Sequence, residues 1–219
     1  MSGPVLPAED DVRALVAAIL AEVTAAEPAR FEFEDAGLGR RRWGSPPAGA
    51  ADGGSDEIAV GADHGGYALK ERIAAELRER GLDVHDCGTS STDAVDYPDF
   101  AHEVARQVAS GHCRYGIVVD GAGIGSCMAA NKVPGIRAAT CWDVTSARNS
   151  REHNHANVLA LGAGLLGEWL ALEIVDAWLE TPWGGERHAR RVAKIGEIEQ
   201  RYAGAAAAGH SPTEGRGMA

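Results

Sequence analysis

Val118-Val119-Asp120-Gly121-Ala122-Gly123-Ile124-Gly125-Ser126 closes an apolar run with a carboxylate and follows it with three alternating glycines. Met128-Ala129-Ala130-Asn131-Lys132 then continues with helical character. A strand that feeds through a glycine turn into a helix is the building unit of an α/β sheet. The turn leaves backbone N–H groups beside a titratable side chain, which suits holding an anion and moving a proton. A plain tight turn without a ligand is the competing reading. The stretch is not the dinucleotide fingerprint, because its third glycine comes one residue early and no acidic residue ends the next strand.

Outward from that turn, residues 57–203 repeat strand, turn and helix. Apolar strand-like runs occupy Ile58–Gly61, Leu82–Asp86, Tyr115–Asp120, Ile136–Thr140 and Val158–Leu161. Helical periodicity covers Tyr67–Arg80, Pro98–Ser110, 143–151, Leu165–Leu179 and Glu186–Tyr202. The expected fold is α/β: a Rossmann-like three-layer sandwich with a five-stranded, mainly parallel sheet covered on both faces. Ligands of such sheets bind beyond the carboxyl ends of the strands. Asp63 and His64 follow the first strand, and Asp120 ends the third.

Composition narrows the function classes. The 219 residues, 45% hydrophobic and 24% charged, suit one domain with extra segments. A formal net charge of -11 argues against nucleic-acid binding, while leaving room for a small anion held by local arginines. Four cysteines (Cys87, Cys113, Cys127, Cys141) show no CxxC pair and no His/Cys cluster at zinc spacing, so no metal is expected and the thiols read as reduced. With no secretory signal and no membrane-length apolar run, the expected location is cytoplasmic.

Other polar clusters compete with blander readings. Asp63-His64-Gly65-Gly66 could bind phosphate or donate a proton, or simply form a capped turn. Ser150-Arg151-Glu152-His153-Asn154 could supply a general acid and a hydroxyl donor, or a capped helix end. Arg187 and Arg191 lie four apart at a helix start, with His188 and Arg190 between. Cations there oppose the helix dipole, so a phosphate ligand explains them better than a solvated face.

Taken in order, Gly61-Ala62-Asp63-His64-Gly65-Gly66, Asp96-Tyr97-Pro98, Gly121–Gly125 with Ala129-Ala130-Asn131-Lys132, Gly135-Ile136-Arg137-Ala138, Arg151-Glu152-His153-Asn154, Val175–Leu179 and Arg187-His188 with Arg191 resemble the ribose-5-phosphate isomerase B family. That family includes the galactose-6-phosphate isomerase subunits. The resemblance spans about 57–202. It implies interconversion of an aldose phosphate and a ketose phosphate through a cis-enediolate, without metal or cofactor. By position, Asp63 contacts the sugar near ring opening, His64 meets the phosphate and Tyr97 lines the pocket. His153 helps open the ring, and Asn154 bonds a sugar oxygen. Arg187, His188 and Arg191 bind phosphate, while the N–H groups of Gly121, Gly123 and Gly125 stabilise the enediolate. The resemblance also implies a homodimer or homotetramer with sites built across the interface.

The pattern breaks at the base. One branch of the family has a cysteine at position 120, and another a glutamate at position 126; here these are Asp120 and Ser126. Ala122 stands where the family has Ser or Thr, and Gly164 where it often has arginine. Cys127 is adjacent but on another face of the helix. Two readings follow. Asp120 replaces the cysteine as base, with burial raising its pKa, or the chain is a catalytically altered sugar-phosphate-binding or scaffold protein.

The first 56 residues lie outside that resemblance. Val12, Leu15, Val16, Ile19, Leu20 and Val23 fall at helical spacing within 1–26, and a Pro/Gly/Ala-rich linker fills 27–56. An amphipathic helix on a flexible linker resembles the encapsulation peptides of bacterial microcompartment enzymes, which implies a shell-protein partner for residues 8–26. The other reading is a helix packed on its own domain or a sister subunit. The tail, 204–219, reads as disordered.

Overall fold

The apolar runs become the strands β1 (Ile58–Ala62), β2 (Val84–Asp86), β3 (Tyr115–Asp120), β4 (Ala138–Thr140) and β5 (Val158–Gly162) in the computed structural model, which describes residues 56–209. They form one sheet in the order β2-β1-β3-β5-β4, and every pairing is parallel. The helices are α1 (Tyr67–Glu79), α2 (Tyr97–Ala109), α3 (Ile124–Ala130), α4 (Val144–Glu152), α5 (Glu168–Glu180) and α6 (Glu186–Gly209).

Both faces of the central strands are covered, which is why β1 and β5 are buried at every position. Ile58, Val60, Ile117, Val119, Leu159 and Leu161 pack with Leu69, Ile73 and Leu77 of α1 and Ile174, Val175 and Trp178 of α5. The alternate residues Ala59, Val118 and Ala160 meet Ala101, Val104 and Ala105 of α2 and Ala130 of α3. This is the three-layer sandwich expected, with a sheet that is wholly rather than mainly parallel.

Element ends shift for local reasons. Leu82 closes α1 instead of opening β2, since its N–H donates to Leu77 O at 3.1 Å. Ile136 is held in a turn by Val133 O, so β4 begins at Ala138. Leu165 and Leu166 both donate to Gly162 O in a turn, and α5 starts only at Glu168. Residues 204–209, read above as part of a disordered tail, are the last turns of α6. The alanines at 203 and 205–208 are the strongest helix formers and extend it. The readings of 1–26, most of 27–56 and 210–219 fall outside the described residues.

The chain leaves β1 on one side to form β2 and returns on the other to form β3. The carboxyl ends of β1 and β3, paired through Ala62 and Val119, are therefore the switch point where such sheets bind ligands.

Candidate active site

Two carboxylates flank that switch point. Asp63 follows β1, and its Oδ1 accepts the Gly66 N–H at 2.8 Å, tying the β1 end to the start of α1. The capped turn read for Asp63 is thus formed. Its neighbour His64 is exposed, with Nδ1 3.2 Å from both the N and the O of Val95. Tyr97, at the first residue of α2, is 41% exposed and lies against Gly125: a Cβ there would stand 2.7 Å from the Tyr97 ring. Gly65 in turn sits near Gly121. His64, Tyr97 and the glycine turn are therefore gathered around one crevice, with the first turns of α1, α2 and α3 beside it. Their partial positive charges favour an anion there.

Asp120 is 4% exposed and turned into its own loop. Oδ1 accepts the N–H groups of Ala122 (2.8 Å) and Gly123, and Oδ2 accepts that of Ser126 at 2.9 Å. Gly123 caps α3 with φ of +76°, in the left-handed region where glycine is at home. Thr140, at the end of β4, donates its hydroxyl to Gly123 O at 2.9 Å and locks the turn. Burial alone would push the Asp120 carboxyl up. The Ser126 hydroxyl and the N–H groups of Ser126, Gly123 and Ala122 outweigh it and hold the group below the usual carboxylate range. Of these, the N–H groups are the firm contacts, because the buried Ser126 Oγ makes no hydrogen bond of full geometry.

Two expectations are corrected here. Burial does not raise the Asp120 pKa, because three backbone donors compensate for the lost water. Of the Gly121, Gly123 and Gly125 N–H groups expected to face the enediolate, that of Gly123 is instead taken by the Asp120 carboxylate. Cys127 faces away as expected, its thiol donating to Ala138 O at 3.3 Å.

A second group forms at the end of α4 and the start of α6. His153 stacks on His188, with ring centroids 4.2 Å apart and planes 17° from parallel. Asn149 Nδ2 lies 2.9 Å from His153 Nδ1 and fixes the ring. Asn154 turns back toward Asn149 O at 3.5 Å. His188 is buried, while Arg187 and Arg191 are exposed close by. Burial, then the charges of His153, Arg187 and Arg191, push the His188 imidazole down, which leaves it neutral near pH 7. Among the described residues, no hydrogen bond or ion pair joins this group to the crevice of Asp63, His64, Tyr97 and Asp120. A shallow groove of about 590 Å³ runs from Thr140 past Asp143 and Ser146 to Asn149 and Asn154, and is lined by none of those four.

Sequence reading passed over Thr140, Asn149 and Val95. Thr140 ends a strand at the carboxyl edge of the sheet, a position that could have flagged it. Asn149 lies one helical turn before His153. Val95 acts through its backbone, which no residue type signals.

Residues 58–195 match the family model described as Ribose/Galactose Isomerase. The ribose-5-phosphate isomerase B of Escherichia coli (strain K12) is 50% identical over 145 residues, covering 66% of this chain and 97% of the relative. That of Mycobacterium tuberculosis (strain ATCC 25618 / H37Rv) is 42% identical over 147 residues, 66% and 91% of the two chains. Among solved structures, Clostridium thermocellum ribose-5-phosphate isomerase B aligns with a TM-score of 0.66 and 57% identity, over 67% of this chain and 99% of that one. The Mycoplasma genitalium enzyme with bound ribulose-5-phosphate gives 0.64 and 39%, over 66% and 96%.

Proposed function

The chain belongs to the ribose/galactose isomerase family and is an aldose–ketose isomerase of a phosphorylated sugar; on that premise we propose that it takes ribose 5-phosphate or a related four- to six-carbon sugar phosphate, with Asp120 as the base. The observation that carries the role of Asp120 is its place: a buried carboxylate at the β1–β3 switch point, ionised across the working pH range. Each Asp120 oxygen has two lone-pair directions. Oδ1 is saturated by two N–H groups, whereas Oδ2 accepts one and keeps a lone pair for a substrate proton. The carboxylate takes the proton from C2 of the open-chain aldose, the hydroxyl proton of the enediolate passes from O2 to O1, and the carboxylic acid returns its proton to C1, which gives the ketose and regenerates the base. Asp63 and His153 serve ring opening. Tyr97 and Asn154 position the sugar, and His64, Arg187, His188 and Arg191 take the phosphate.

The two groups complete one site when the second is supplied by another copy of the chain. Large apolar side chains stand exposed on α5, α6 and the approach to α5, including Leu165, Trp169, Ile198 and Tyr202, as subunit contacts require. A homodimer or homotetramer is accordingly part of the proposal. So is docking of residues 8–26 on a microcompartment shell protein, tested by fusing residues 1–26 to a fluorescent reporter; diffuse fluorescence would end that idea.

One observation favours a second reading. The Asp120 carboxylate occupies the Gly123 N–H that an enediolate would otherwise use, as it would in a binding protein that has lost turnover. Following ribose 5-phosphate and a panel of four- to six-carbon sugar phosphates by NMR separates the two. Interconversion of aldose and ketose by the purified chain supports the enzyme, whereas binding without turnover supports the alternative.

A further inference from the structure

Glu57, His85 and His112 are far apart in sequence, yet meet at the edge of the sheet. Glu57 precedes β1, His85 is the middle residue of edge strand β2, and His112 lies in the turn after α2. Glu57 Oε1 stands 3.9 Å from His85 Nδ1, and Oε2 3.6 Å from His112 Nε2. The two imidazoles meet edge to face, with centroids 5.2 Å apart and planes at 85°. One ligand atom from each of the three lies within 4.8 Å of the others. We propose that Glu57, His85 and His112 bind a divalent cation of the zinc class at a site separate from the isomerase crevice.

Two imidazoles and a carboxylate suit zinc rather than magnesium or calcium, which prefer all-oxygen shells. Tetrahedral bonds of about 2.0–2.1 Å place ligand atoms roughly 3.3 Å apart, so small side-chain rotations close the set. Two of the ligands ride on fixed backbone: Arg114 N–H donates to Glu57 O at 2.8 Å, and His85 pairs with Ala59 in the sheet. The third, His112, is 55% exposed and gives the ion an entry, with water completing its shell.

A rival set, His85 with Cys87 and Glu103, also brings its ligand atoms within 4.8 Å of one another. Its carboxylate is held by its own helix. Glu103 already accepts from Arg106 and Gln107. Glu103 instead suits the carboxylate that steadies a metal-bound imidazole from behind.

Such an ion would staple the edge strand to the residue through which the first 56 residues enter the domain. Glu57 and Asp63 bracket β1, so the site is roughly 20 Å from the crevice, and metal binding and turnover separate. The test uses the full chain without an affinity tag, stripped of metal and dialysed against Zn2+. The expected result is about one zinc per chain with a raised Tm, and binding weakened about tenfold or more in His112→Asn. The metal-free Tm and the isomerase rate of that variant should match wild type. With Co2+, a tetrahedral visible spectrum without thiolate charge transfer is expected. No zinc uptake, uptake unchanged in His112→Asn, or a thiolate band abolished by Cys87→Ser would each overturn the assignment.

Discussion

Asp120 shows how a residue's surroundings decide its chemistry. Its carboxylate stays charged in the core because backbone N–H groups replace water. Asp120→Asn leaves an amide donor facing one of those N–H groups, and the loss of charge-assisted bonds should cost about 1.5–3 kcal/mol in urea unfolding. Because the folded pKa is lowered, the Asp120 contribution is present above about pH 4 and is lost as pH falls through the folded value. The Asn variant should lack that acid-dependent part. His155 gives the complementary case. Burial, then the charges of Arg137 and Arg151, push its imidazole down to about 4, so the unfolded chain binds more protons between that value and about 6.5. Wild type should lose stability as pH falls through this window, and His155→Asn should flatten the loss. Asn tolerates the φ of +52° at this position, and removing the stack on Trp183 should cost about 0.5–1.5 kcal/mol above pH 7.

Elements are joined at the sheet's carboxyl edge by few, well-placed side chains. Lys70 of α1 is 1% exposed and donates to both oxygens of Asp86 at 2.8 Å and to Thr89 O at 2.9 Å, which clamps the segment after β2. Asp86→Ala strips the main counter-charge from a buried ammonium, leaving Glu71 and one carbonyl, and should destabilise by about 3 kcal/mol in urea unfolding. Element order was legible because continuous apolar strands alternated with helical periodicity and because Asp63 and Asp120 fell at strand ends. The boundaries at Leu82, Ile136 and Leu165 were not, since each apolar residue reads as strand or helix while its N–H is committed to a turn. The direction of the Asp120 pKa was equally hidden: the fold of Gly121–Ser126 decides whether those N–H groups face a ligand or the aspartate's own side chain.

At the scale of the whole molecule, the proposed assembly rests on the distribution of candidate residues. Asp63, His64, Tyr97 and Asp120 gather at β1 and β3, while His153, His188 and the arginines gather at α4 and α6. If neighbouring copies complete each other's sites, Asp120→Asn and Arg191→Ala proteins, each inactive alone, should regain activity when unfolded and refolded together. A mixed pair then carries one site with both wild-type groups. Sites built within single chains would show no recovery.

The claim on which the mechanism rests is that the Asp120 carboxylate moves the proton. It is tested by following deuterium incorporation at the exchanging carbon of ribose 5-phosphate and its ketose in D2O, with wild type and Asp120→Asn side by side. Wild type should exchange, and the variant should fall to background while still binding the sugar phosphate. Exchange persisting in Asp120→Asn at the wild-type rate would contradict the assignment and place the base elsewhere.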